Sequence, residues 1–354
     1  VLAAGVDLDI LAAVSPNQSG MIRVQSQGYP LLVVDLKELT PKAGEENTSA
    51  ALIRGVAARM AALGCPLEGV GLDAYMVSDV LGGSGLSSSA AFEVLMGTIL
   101  NELFWNGKCS AVEIAQIGQY AENVFFGKPC GLMDQMASAW GGIIAIDFKD
   151  PSKPEVHPVD FDFAPACHSL CMIDVGADHA SLTHEYAAIP AEMKKISAHF
   201  GKDVLREVDE AEFFAAIPTL RREAGDRAVL RAIHIFQENR RVERLCQALG
   251  EGDFDAFLQV ARQSGRSSWM YLQNVIVTGS VQEQSAALAL SLCDSILGER
   301  GAYRIHGGGF GGTVQAFVPD DMLEEFRQKV EAVFGSGSCH VMKIRSRGFM
   351  KVEY

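Results

Sequence analysis

The chain has 354 residues, 48% hydrophobic and 21% charged, enough to bury a sizeable core and long enough for two domains. Lysine plus arginine number 30 against 44 acids, a net charge of −14, which excludes a broad basic surface for nucleic acid or anionic membrane and confines any anionic ligand to a local pocket. No apolar run approaches a membrane span, and the eight cysteines form no C-x-x-C pair, so a soluble, cytoplasmic protein with free thiols is expected, without a disulfide framework or structural zinc.

The first residue is Val1, and strand sequence runs from it without lead-in, so a missing upstream segment is expected. Ala3 to Val14, Met21 to Ser26 and Leu31 to Val34 predict strands in an antiparallel meander, with Ser15–Gly20 and Gln27–Pro30 as turns. Asn47 or Thr48 caps a helix that places Leu52, Val56, Met60 and Leu63 on one face and stops at Gly64. Gly71 to Asp79 reads as a further strand.

Leu81-Gly-Gly-Ser-Gly-Leu-Ser-Ser-Ser-Ala-Ala91 comes next, and Phe92, Leu95, Met96, Ile99 and Leu103 continue it at helical spacing. A glycine-rich approach to a helix start, with unpaired N–H donors and the positive end of the macrodipole, suits phosphate oxygens. A Walker A loop is excluded because no lysine lies between Asp79 and Asn101, and a dinucleotide fingerprint fails because Ser88 stands where its third glycine belongs. Taken alone, the stretch could equally be a Ser/Gly loop that caps a helix.

Ser110-Ala-Val-Glu113 is a capping-box pattern opening another helix, with Ile114, Ile117, Gly118, Ala121 and Phe125 inward and Glu122 at the edge of that face, partly exposed. Gly127-Lys-Pro-Cys-Gly131 breaks it, and Asp134 then stands among apolar neighbours before a strand over 141–147. Lys149 to Pro158 reads as a connector, with the domain boundary a few residues later. The second half alternates strands (Ser169–Asp174, Tyr303–His306, Thr313–Val318, Cys339–Ile344) with helices (Thr183–His199, Asp226–Leu249, Val281–Leu297, Met322–Phe334). That is α+β organisation. His306 to Thr313 contains G-x-G-x-x-G, but strand sequence follows it where a dinucleotide loop opens a helix. Its glycines instead predict close backbone approach, to a ligand or to the first glycine loop.

Together these stretches resemble the GHMP small-molecule kinases and, within them, the galactokinases. Gly83 to Ala91 looks like the family's ATP-phosphate loop, Ala121 to Met136 is similar to the stretch holding its catalytic aspartate, and His306 to Thr313 looks like its C-terminal glycine motif. The resemblance implies an α+β, two-domain fold: residues 1–165 as an N-terminal mixed sheet with helices, and 166–354 as a C-terminal ferredoxin-like domain. It implies an ATP- and Mg²⁺-dependent kinase acting on the anomeric hydroxyl of D-galactose. A kinase for N-acetylgalactosamine, arabinose or a heptose, and a non-catalytic galactose/ATP sensor, are the alternatives. By the same resemblance Asp134 orients or deprotonates the sugar hydroxyl, and Ser89 and Glu122 hold Mg²⁺. Gly82, Gly83, Ser84, Gly85, Leu86, Ser87, Ser88 and Ser89 cradle the triphosphate, while Gly131 and Tyr186 contact the sugar. Sugar and ATP are the expected partners, with no nucleic acid, no membrane and a monomer favoured. The family's N-terminal Gly-Arg-x-Asn-x-x-Gly-Glu-His-x-Asp-Tyr signature is absent and would lie just before Val1. Gln263 to Asn274 departs from the Ser-Leu-Arg-Asp-Asp-Tyr type segment of many galactokinases, which suggests a divergent subgroup.

Overall fold

The computed structural model describes residues 1–80, 87–150, 152–176, 182–310 and 312–352. They divide into two compact units: 3–80, 87–144 and 344–352 form the first, and 1–2, 145–150, 152–176, 182–310 and 312–343 the second. The change from one unit to the other falls at residues 144 and 145, ahead of the boundary at 165 that composition suggests. The stretch 149–158 is also only partly a connector, since Glu155–Val159 forms a strand; proline and charge there do not mark where one core gives way to the next.

The chain opens with β1 (Leu2–Ala4), β2 (Ile10–Asn17), β3 (Met21–Ser26) and β4 (Leu32–Asp35). The stretch expected to be one strand over 3–14 is therefore broken between Ala4 and Ile10. Helix α1 (Ser49–Ala62) and β5 (Gly71–Ser78) follow. The four long strands make a sheet ordered β2-β5-β3-β4, with β5 antiparallel to β2 and parallel to β3. The expected meander is thus corrected. β5 inserts between β2 and β3 because its Leu72, Ala74 and Met76 are all buried and suit a central position, whereas β2 carries Pro16, which cannot donate to a ladder and sits well at an edge.

Thr48 caps α1 by accepting from the Ala51 amide at 3.3 Å. Leu52, Val56 and Met60 are buried as the spacing predicts, but Leu63 lies past the last turn and is 44% exposed. Helices α2 (Ser88–Phe104), α3 (Ala111–Ala121) and α4 (Met133–Trp140) complete the layer, and Ser110 and Glu113 form the predicted capping box. Gly55 of α1 lets that helix cross α3 closely: a Cβ there would lie 2.7 Å from Ala121 Cα.

Strand β6 (Ile143–Asp147) carries the change of unit, and β7 (Glu155–Val159) and β8 (His168–Asp174) follow. Next come four helices, α5 (Thr183–His199), α6 (Glu210–Glu223), α7 (Asp226–Gly250) and α8 (Phe254–Ser267), and then α9 (Ser285–Leu297). β9 (Ala302–Ile305), β10 (Thr313–Pro319), α10 (Leu323–Phe334) and β11 (Cys339–Met342) close the chain's regular structure. The sheet order β11-β8-β10-β9 is antiparallel throughout, the ferredoxin-like arrangement with α5–α8 added after its first strand. Ile173, Val314, Ala316 and Val318 of that sheet bury against Leu290 and Cys293 of α9 and Phe326 and Val330 of α10. Sequence periodicity missed α6, which carries Pro218, and α8, which ends in the polar run Arg262–Ser267; their starts are fixed by the caps Asp209 and Asp253.

Gly→Ala inside a helix normally stabilises by about 1 kcal/mol. At Gly55 the added methyl would meet backbone rather than a yielding side chain. Gly55→Ala is expected to lower stability by about 1–3 kcal/mol, read in urea unfolding, and an unchanged or raised midpoint would contradict the close crossing.

Candidate active site

The site is built around the start of α2. Ser87 precedes the helix with φ 57° and ψ 41°, a left-handed conformation that costs a non-glycine residue free energy. Its hydroxyl does not cap the helix. It donates instead to Asp134 Oδ2 at 2.7 Å. Two residues on, the Ser89 hydroxyl donates to Glu122 Oε1 at 3.0 Å. One helix start therefore carries two serines, each engaged by a different carboxylate, while the amides of its first turn lack intrahelical acceptors. Gly82, Gly83, Ser84, Gly85 and Leu86, expected to cradle phosphate, lie outside the described residues.

Glu122 opens a π-helical turn, Glu122–Phe126, that continues α3 and stops at Gly127 with φ 86°. Such turns insert an extra residue and recur at functional sites. Glu122 itself keeps α-helical geometry, its amide reaching the Gly118 carbonyl, and it is buried, 3% exposed, rather than partly exposed as expected, because Ser89 of α2 and Gln135 of α4 close over its carboxylate. Its other partners are Gln135 Nε2, 2.9 Å from Oε2, Lys128 Nζ, 3.7 Å from Oε1, and the Cys130 thiol. Lys128 is largely exposed and screened, so it offsets little of the buried charge.

Asp134 lies in the first turn of α4, where helix polarity favours an anion. The turn before it is pinned by Asn123 Oδ1, which accepts from the Cys130 amide at 2.7 Å, and by Gln119 Nε2, which donates to the Cys130 carbonyl. A Cβ on Gly131 would meet nothing within 4 Å, so that backbone is open to a neighbour. Gln135, 1% exposed, donates to Glu93 Oε2 at 3.0 Å as well as to Glu122. Burial first, and then the Glu122 charge, push the Glu93 carboxyl up to about 9, so it is neutral at pH 7.

Sequence reasoning found Ser87, Ser89, Glu122 and Asp134 but missed Glu93, Gln135 and Lys128. Glu93 had a signal: it stands four residues after Ser89, on the same side of a helix that is otherwise apolar there. The donors Ser89 Oγ and Glu122 Oε1 are both hard oxygens, the kind that suits a small divalent cation completed by phosphate and water. Among the described residues no group of three or more His, Cys, Asp or Glu could hold a metal without such help.

Tyr186 belongs to the second unit. Its hydroxyl donates to the Gly309 carbonyl at 2.8 Å, its ring packs edge-on to Phe310, and burial pushes its phenol up to about 12. Gly308 leaves room for that ring, and Gly309, at φ 84°, presses on Asn274. What the second glycine motif approaches, among the described residues, is thus Tyr186 and Asn274. Residue 311 of that motif is not described, and Asn274 ends the stretch in which the sequence departs from the galactokinase pattern.

The profile described as "GHMP kinases N terminal domain" matches residues 51–142, which hold Ser87, Ser89, Glu122 and Asp134. The chain is 30% identical over 340 residues to a galactokinase of Streptomyces coelicolor, covering 94% of this chain and 83% of that one. It is 34% identical over 267 residues to a galactokinase of Actinobacillus pleuropneumoniae, covering 75% of this chain and 66% of that one. In three dimensions it matches the Lactococcus lactis galactokinase solved with galactose, with a TM-score of 0.82, 23% identity, and coverage of 99% of this chain and 88% of that one. The fold and the matched profile are those of a GHMP kinase. Its similarity over nearly its whole length then narrows the assignment: the chain belongs to the galactokinase family.

The neutral Glu93 makes stability depend on pH. Its carboxyl ordinarily titrates at 4.5 but holds its proton to about 9 in the fold, so between those values the unfolded chain has lost a proton that the folded one keeps. Each pH unit in that window favours unfolding, by at most about tenfold from this group. Stability from this source is therefore full at pH 4 and falls as pH rises towards 9. Glu93→Gln, which cannot ionise, is expected to flatten the decline in unfolding midpoint between pH 5 and 9; equal slopes in the two proteins would contradict the buried neutral acid.

Proposed function

We propose that the chain transfers the γ-phosphoryl group of ATP to the anomeric hydroxyl of D-galactose, giving α-D-galactose 1-phosphate. The observation that carries this reading is the pair of bonds at the start of α2, Ser87 to Asp134 and Ser89 to Glu122. They bring an acid able to meet an acceptor hydroxyl and an oxygen pair able to hold a cation to one helix terminus. Phosphoryl transfer asks mainly for alignment of the reacting oxygens and neutralisation of phosphate charge, and this arrangement supplies both.

Asp134 takes the sugar's hydroxyl in place of the Ser87 hydroxyl, aligns it and accepts its proton as the new P–O bond forms. The amides of Ser87, Ser88 and Ser89 face the polyphosphate. Ser89 and Glu122 would hold Mg²⁺, which when bound supplies positive charge against the phosphate oxygens. Gly131, with open space beside it, packs against the sugar. A chain whose eight cysteines are unpaired and whose described residues include no helix long and apolar enough to cross a membrane suits the cytoplasm, where its nucleotide is found.

Asp134→Asn keeps the size of the side chain and removes its basicity. It is expected to lower kcat by roughly 10²–10⁴-fold while the affinity for ATP stays within about threefold. Coupled ADP release over galactose, N-acetylgalactosamine, arabinose and a heptose, at equal concentration, checks both the rate and the sugar. Wild-type turnover in the Asn variant would overturn the role of Asp134, and a larger kcat/KM for another sugar would overturn the choice of galactose.

A further inference from the structure

We infer that Gln135, braced by Glu93, is a positioning residue that fixes the carboxylate plane of Glu122. This rests on reading Ser89 and Glu122 as the pair that holds Mg²⁺.

The two oxygens of Glu122 have separate partners. Oε1 faces Ser89 and Lys128, and Oε2 is tied back by Gln135 Nε2. Gln135 has a single amide nitrogen with two protons, and its short bonds go to Glu122 Oε2 at 2.9 Å and Glu93 Oε2 at 3.0 Å, with Cys130 Sγ a longer, weaker acceptor at 3.7 Å. The second bond stops the amide from turning away from the first. Glu93 comes from α2, Glu122 from the π-helical turn and Gln135 from α4, so the amide joins three elements in a site where all three side chains are at most 3% exposed. Gly118 of α3 makes room for it, since a Cβ there would come within 3.1 Å of Glu93 Oε2 and 3.3 Å of Gln135 Cγ.

A carboxylate that binds a cation through one oxygen works best when the other is held by a donor, because outer partners orient the ligand and keep it from rotating. Gln135 also adjoins Asp134 in sequence, so the same anchor fixes the first turn of α4, where Asp134 meets Ser87. One amide thereby sets both the cation-facing oxygen and the acid expected to meet the sugar.

The test measures, by calorimetry, binding of a non-hydrolysable ATP analogue with and without Mg²⁺ to the full chain and to Gln135→Leu. The wild type is expected to bind the analogue more tightly with Mg²⁺. In the variant that enhancement should fall by about tenfold or more, with metal-free affinity nearly unchanged. A packing role alone would weaken both conditions alike, and an enhancement equal to that of wild type in Gln135→Leu would overturn the inference. If Gln135→Leu does not fold, Glu93→Leu and Glu93→Gln carry the same comparison. Leu should reduce the enhancement, and Gln, which keeps an acceptor oxygen, should recover it; equal ratios in the two would overturn it. A wild type with no Mg²⁺ enhancement would instead overturn the metal reading itself, and that outcome is visible before any variant is compared.

Discussion

The structure of the first unit depends on holding three carboxyl groups together with little cation to offset them. Glu93, Glu122 and Asp134 come from α2, the π-helical turn and α4, and the ion pair given to Glu122 is with Lys128 at 3.7 Å, a largely exposed side chain. Glu93 and Glu122 are buried whereas Asp134 is exposed, and the two buried groups would repel strongly as charges where water is excluded. The fold meets this in two ways. Glu93 keeps its proton, and donors without charge (the Gln135 amide and the Ser89 hydroxyl) satisfy the oxygens of Glu122.

That arrangement is poorly balanced as a purely structural device. Replacing buried acids by apolar residues of similar size is often neutral or stabilising, so nothing about packing alone calls for the two buried acids, Glu93 and Glu122, beside one helix start. The residual negative charge becomes useful when a cation and a polyphosphate occupy the same place. Strain agrees with this: Ser87 adopts a left-handed conformation without capping its helix, and a π-helical turn begins at Glu122.

Much of this was legible in the sequence because it is local. The caps Thr48 and Ser110, the helix that starts at Ser88, and most strands and helices of the second unit follow from spacing within a few residues. The rest is not local. Gln135 meets Glu93 across 42 positions, and Ser87 meets Asp134 across 47; no window of sequence shows either pairing. The position of β5 between β2 and β3 is set by burial on one face of a sheet whose order the strand sequences do not encode. The burial of Glu122 comes from Ser89 and Gln135, 33 and 13 positions away, which the spacing within its own helix does not show.

The central claim is that the acid and the oxygen pair at the start of α2 serve transfer of a phosphoryl group to a sugar's anomeric oxygen. The most direct measurement is ³¹P NMR of the full chain incubated with ATP, Mg²⁺ and D-galactose. The predicted result is a phosphate-ester resonance coupled to the anomeric proton, growing as ADP appears; ester formed at another carbon, or ADP and inorganic phosphate without any sugar phosphate, would contradict it.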